Sequence, residues 1–132
     1  MNKEKYIEWQ ILEQQMAQLN ENLKQLEKQK KDAARTIEHL EEMRKVKAGT
    51  KILVPFANGV FAEAELKSSD SFKVNVGSGI CVKKSLDDTK ELLSEQLSEL
   101  NLIIEDTVSY YQQVYERMIV LEKEITAETT EQ

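Results

Sequence analysis

Apolar residues recur at alternating spacings of three and four along two stretches of this chain, and that repeat narrows the possible folds sharply. The first stretch runs from about Lys5 to Lys47, the second from about Leu86 to Ile125. The first seam reads Trp9, Leu12, Met16, Leu19, Leu23, Leu26, Lys30, Ala33, Ile37 and Leu40. The second reads Leu93, Leu97, Leu100, Ile104, Thr107, Tyr111, Val114, Met118, Leu121 and Ile125. Nine of ten positions are apolar in each. A 3.5-residue repeat sustained over more than about four heptads is a coiled-coil signature. Neither stretch contains Gly or Pro, so nothing interrupts either helix.

Residues 48–85 separate the two stretches and hold all four glycines and the only proline. The arms match in length, and the connector returns the chain to its start. Antiparallel pairing within the chain follows, with residue i near residue 133 − i, give or take a turn. The polar exceptions Lys30 and Thr107 then fall within about a turn of one level. Either they form a paired polar step that fixes register, or Lys30 carries its ammonium out to water.

The connector reads as two β-hairpins. KILVPFA (51–57) is apolar and β-prone, Asn58-Gly59 follows, and VFAEAEL continues. Asn-Gly between such runs marks a hairpin, because both turn residues need positive φ. After the polar Ser68–Ser71, residues Phe72, Val74 and Val76 alternate with Lys73 and Asn75, and Gly77-Ser78-Gly79 turns the chain into ICVKK. Pro55 has no N–H and suits an edge or a bulge. Ser85 is a natural N-cap for the second helix, with Asp87 and Asp88 in its first turn. Four strands cannot cover their own apolar face and both edges, and closing into a barrel with other subunits removes the edges. The expected oligomerisation residues are Ile52, Val54, Phe56, Val60, Phe61, Phe72, Val74, Val76, Ile80 and Val82.

The free ends of the arms depart from the seam pattern. Ile7 and Ile11 form an apolar strip on the face opposite Trp9 and Leu12, and Tyr6 lies beside the seam. In the second arm Met118-Ile119-Val120-Leu121 is an unbroken apolar run, with Ile119 and Val120 outside the seam. Apolar surface outside a satisfied seam marks a contact site. Tyr6, Ile7, Trp9, Ile11, Leu12, Met118, Ile119 and Val120 are the expected binding residues. The outer positions in the middle of the first arm are polar, and the middles of both arms read as ordinary coiled coil. Thr126–Gln132 reads as a frayed tail.

Composition excludes several classes. The net charge of −6 disfavours nucleic acid, and the basic run Lys28–Arg35 is short. The single cysteine excludes an internal disulfide and fits a reducing cytosol, and no membrane span or signal-peptide core is apparent. Cys81 is expected as a small buried hydrophobe and His39 as a solvated outer residue. No metal-ligand spacing, nucleophile elbow or phosphate loop is present, and Gly77-x-Gly79 lacks the following helix start, so neither enzyme activity nor a cofactor is expected.

At the level of layout the chain resembles the α-class subunits of prefoldin. Ile52–Leu66 (ILVPFANGVFAEAEL) is similar to that family's L-V-P hairpin, and Val74–Asp88 (VNVGSGICVKKSLDD) to its V-x-V-G-x-G hairpin and helix entry. Two hairpins fit the α class. The family often has Ala where this chain has Thr89, and Glu where it has Lys83. The resemblance implies an α+β fold: a long antiparallel coiled-coil hairpin, with two inserted β-hairpins joining an intersubunit β-barrel. It implies a single domain over residues 1–132, made of a helix (1–47), hairpins (48–85), a second helix (86–125) and a tail (126–132). It further implies a heterohexamer of two α and four β subunits that holds unfolded clients at the arm tips without ATP and passes them to a group II chaperonin. The alternatives are a filament built through the hairpins, or a coiled-coil adaptor for one folded partner.

Overall fold

The computed structural model describes residues 3–131, with side chains through Glu128. Helix α1 (Lys3–Met43) is followed by strands β1 (Lys51–Ala57), β2 (Val60–Glu65), β3 (Ser71–Asn75) and β4 (Cys81–Ser85), then helix α2 (Leu86–Glu131). The residues group into two compact units. One joins α1 up to Lys31 with α2 from Ser98 on, and the other is Asp32–Leu97.

In the first unit the helices run antiparallel. Lys5 Nζ lies 2.8 Å from Glu128 Oε1 and 3.5 Å from Glu124 Oε2. Arg117 forks onto Glu8 at 3.1 and 3.4 Å. Lys5 meets Glu128 where the sequence register puts it, whereas Glu8 meets Arg117 about two turns short of its register position, Ile125. The seam positions of this unit are all half-buried or buried, and Ile104, Val114 and Leu121 are buried. Lys30 is half-buried, and Thr107 spends its hydroxyl on the Ile103 carbonyl of its own helix at 2.7 Å.

Two boundaries differ from expectation. α2 continues through Glu131 rather than fraying after Ile125. Glu128 falls at the next seam position and is held by Lys5, so the heptad goes on with a charge where an aliphatic was sought. α1 ends at Met43, not Lys47. Beyond the Arg44 N–H bond to the Leu40 carbonyl, Lys45 and Val46 bond only three residues back, which tightens the chain out of the α-helix.

In the second unit the two hairpins form separate antiparallel two-stranded sheets. Asn58 and Gly59 have φ of 52° and 78°, the paired left-handed conformations of a two-residue hairpin turn. Phe56 bulges between the Pro55–Phe61 and Ala57–Val60 pairs, beside the proline that cannot donate a ladder bond. Between β3 and β4, Gly77, Ser78 and Gly79 all have positive φ, and the Asn75 side-chain oxygen accepts from the Gly77 N–H at 2.9 Å. The Asp88 N–H donates to Ser85 Oγ at 3.1 Å, which makes Ser85 the N-cap of α2. Thr89 is buried and gives its hydroxyl to the Ser85 carbonyl at 2.7 Å, so a residue larger than alanine is accommodated there without an orphaned polar group. Leu40 and Leu86 are the buried aliphatics of this unit.

Charges tie the base of the two helices together. Lys90 lies 2.7 Å from Glu41, Glu41 lies 3.2 Å from Arg44, and Arg44 lies 2.6 Å from Asp87. The hydrogen bonds from Arg44 and then Lys90 hold the Glu41 carboxyl down at about 2, from an ordinary 4.5. Arg44 is pushed the other way by Asp87 and then Glu41. A carboxylate whose pKa falls on folding stabilises the fold above its unfolded pKa and ceases to do so as pH falls through its folded one. The wild type will therefore lose melting temperature from pH 4.5 down to about 2 more steeply than E41Q. The difference will be small and salt-sensitive, because these side chains are partly solvated. Equal slopes for the two proteins would show that the pair contributes nothing.

Candidate interaction surfaces

Sheet alternation sorts the hairpin side chains onto two faces. In the first hairpin Ile52 and Val54 lie opposite Ala64 and Ala62, while Leu53 and Pro55 lie opposite Glu63 and Phe61. The Ile52 face is the better covered, with Ile52, Ala62 and Ala64 half-buried. Leu53 is 63% exposed, Phe56 72% and Phe61 57%. In the second hairpin Phe72 and Val74 are half-buried on one face, where Val74 pairs with the exposed Val82. Val76 and Ile80 are exposed at its turn and Val60 at the turn of the first hairpin, while Val54 is exposed within β1. Every residue expected to mediate assembly is thus on a strand or at a turn, and seven of the ten are exposed.

Leu53 was not among the expected assembly residues. It sits inside an apolar run where periodicity alone does not separate the faces, and only the strand register puts it beside Phe61. Cys81 is exposed rather than buried, because it pairs with Asn75 in a sheet of only two strands whose second face carries Lys73 and Lys83. His39 is exposed, as expected.

At the tip of the first unit Tyr6, Ile7, Ile11 and Val120 are exposed. Trp9, Leu12 and Met118 are half-buried in the seam, and Ile119 is half-buried beside it. Ile119 also borders a shallow depression of about 490 Å³ with Glu122, Lys123, Thr126 and Ala127. Ion pairs frame this end: Lys5 is raised above its usual pKa chiefly by its bond to Glu128, and Arg117 by its bond to Glu8. The apolar side chains here stand outside a seam that charges have already closed.

The middle of the second arm is not the ordinary coiled coil expected. Leu102, Ile103, Val108, Tyr110 and Tyr115 are all exposed. They occupy positions flanking the seam or behind it, which a search for seam periodicity passes over. Their signal was the presence of aliphatic and aromatic residues where Glu and Lys are usual.

Among the described residues no group of three His, Cys, Asp or Glu side chains could hold a metal ion, and no helix is long and apolar enough to cross a membrane. Apolar side chains stand exposed on the hairpins, at the tip and along the middle of α2.

Comparison with known proteins agrees with that geometry. The pattern of the Prefoldin family, described as prefoldin subunit, matches residues 12–131. Prefoldin subunit alpha of Archaeoglobus fulgidus is 26% identical over 125 residues, covering 95% of this chain and 91% of the relative. That of Pyrococcus horikoshii is 32% identical over 101 residues, covering 76% of this chain and 68% of the relative. That of Thermofilum pendens is 34% identical over 86 residues, covering 65% and 67%. Among solved structures, a chain of filamentous PFD from Methanocaldococcus jannaschii superposes with a TM-score of 0.80 at 15% identity, covering 94% of this chain and 99% of that one. Helices, paired hairpins and sequence together show that this chain belongs to the prefoldin family of chaperones, as an α subunit.

Proposed function

We propose that this subunit acts in an ATP-independent holdase that grips non-native proteins at its arm tips. The observation that carries the reading is the exposure of Tyr6, Ile7, Ile11 and Val120 outside a seam already satisfied by Leu121 and its neighbours. Non-native chains expose apolar segments, and one buried side chain offers only about 1.5–3 kcal/mol. Such a grip is weak and releasable singly, and several arms acting on one client raise avidity without new chemistry. Release into a group II chaperonin then needs no nucleotide step in this chain.

In this reading the whole chain acts as one domain, and the exposed hairpin residues join those of β-class partners in a closed β-barrel, giving a hexamer of two α and four β subunits in the cytosol. The barrel would bury Phe56, Phe61 and Ile80 and remove the free strand edges.

The test is an aggregation assay without ATP, using unrelated unfolded clients and the complex coexpressed with a β-class partner. Ile7→Ser, Ile11→Ser and Val120→Ser together will leave the complex assembled by light scattering and cost it most of its protection, at least about fivefold in the amount needed. Full protection by the triple variant would sink the tip assignment. Length-distributed polymers in place of a closed particle would favour a filament, and protection of no unrelated client would favour an adaptor.

A further inference from the structure

We propose that the outer face of α1 between Leu23 and Lys31 is a docking surface for an acidic segment of a partner polypeptide. Lys24, Lys28 and Lys31 follow one another at spacings of four and three, which places them on one side of the helix within about 60° of arc and about 10 Å of rise. All three are exposed and lie behind the seam formed by Leu23 and Leu26. With Leu23 and Glu27 they border a shallow depression of about 390 Å³.

The stripe differs from the two basic residues of its unit that bridge the helices. Lys5 and Arg117 are both engaged across the helix pair, by Glu128 and Glu8. Among the described residues Lys28 and Lys31 stand in no ion pair, and Lys24 has only Glu21 at 3.5 Å on its own helix. The stripe therefore does nothing for the cohesion of the arms, yet it concentrates positive charge on a chain with a net charge of −6. Attraction of an acidic partner to this spot is the complementary arrangement.

The lining selects a peptide over a nucleic acid. Glu27 sits beside the lysines, and a uniformly anionic phosphate backbone laid along them would also meet its carboxylate. A peptide can place its carboxylates on the lysines and a neutral residue against Glu27. No aromatic side chain lines the depression for bases to stack on, whereas Leu23 and the lysine stems offer a floor for an aliphatic.

The test uses the full-length chain and a fluorescein-labelled peptide of glutamates interspersed with leucines, followed by anisotropy. The peptide will bind at 50 mM salt and weaken by 300 mM. K24Q/K28Q/K31Q, with helix content matching wild type by circular dichroism, will lose about tenfold in affinity, while K51Q/K67Q will not. In a second arm K24E/K28E/K31E will gain affinity for the corresponding lysine–leucine peptide, a reversal that general destabilisation cannot produce. Failure of wild type to bind, equal affinity in K24Q/K28Q/K31Q, or tighter binding of a twelve-nucleotide oligouridine than of the acidic peptide would each overturn the proposal.

Discussion

Leu121→Ala will lower the stability of the chain by about 2–5 kcal/mol, the cost of deleting three carbons from a close-packed site that refills only in part. Among the described residues Leu121 is the most completely enclosed side chain, at 0% exposure, at a level of the seam where Lys5, Glu8 and Arg117 hold the helices together on either side. Those ion pairs resist the collapse that would shrink the cavity, which puts the expected cost toward the upper part of the range. Val120 is the adjoining residue but 45% exposed. Val120→Ala will change stability by less than about 0.5 kcal/mol, as surface substitutions do. The contrast between neighbours is the informative measurement, read from thermal or urea unfolding followed by helical circular dichroism. If the two variants unfold alike, the residue at 121 does not face the partner helix and the seam is misassigned.

A second large effect is expected at the hairpins. Phe56→Ser with Phe61→Ser will leave the helices intact and weaken subunit association by roughly two to four orders of magnitude. Each phenylalanine buried on assembly contributes about 1.5–3 kcal/mol. Neither ring is enclosed within the chain, so their removal costs the monomer little. Light scattering on the coexpressed complex will then show a shift from assembled particle to free subunits at micromolar concentration, with unchanged helicity. An assembled particle of wild-type mass would show that these rings are ordinary surface residues.

Much of this architecture is written in short-range patterns, and the exceptions have a common cause. Seam positions from Trp9 to Leu40 and from Leu93 to Ile125 are half-buried or buried one after another, because heptad spacing is a direct geometric statement about one face of a helix. Asn58-Gly59 and Ser85 were equally legible, since a left-handed turn and a helix cap each depend on one or two residue types. What escaped were features that depend on a second element. Lys5 and Glu128 continue the seam as a charge pair, and neither residue alone looks like a seam residue. The exposed Leu102, Val108 and Tyr115 cannot be told from packed residues until it is known how much of α2 the partner helix covers. Leu53 and Cys81 needed the strand register and the number of strands before a face could be assigned.

The ion pairs at the arm ends also bear on which partner each helix refuses. Leucines and isoleucines in a heptad seam are nearly interchangeable, so apolar content alone would let α1 of one copy wind in parallel with α1 of another. In that arrangement Lys5 would meet Lys5 inside the seam, and Glu8 would come up against Glu13 along its edge. Two parallel copies of α2 would likewise bring Glu128 against Glu128. Like charges held together in this way penalise the mismatched pairing, whereas the antiparallel fold converts the same residues into contacts of 2.8 and 3.1 Å. A few charges near the helix ends thus bias each helix toward the other half of its own chain.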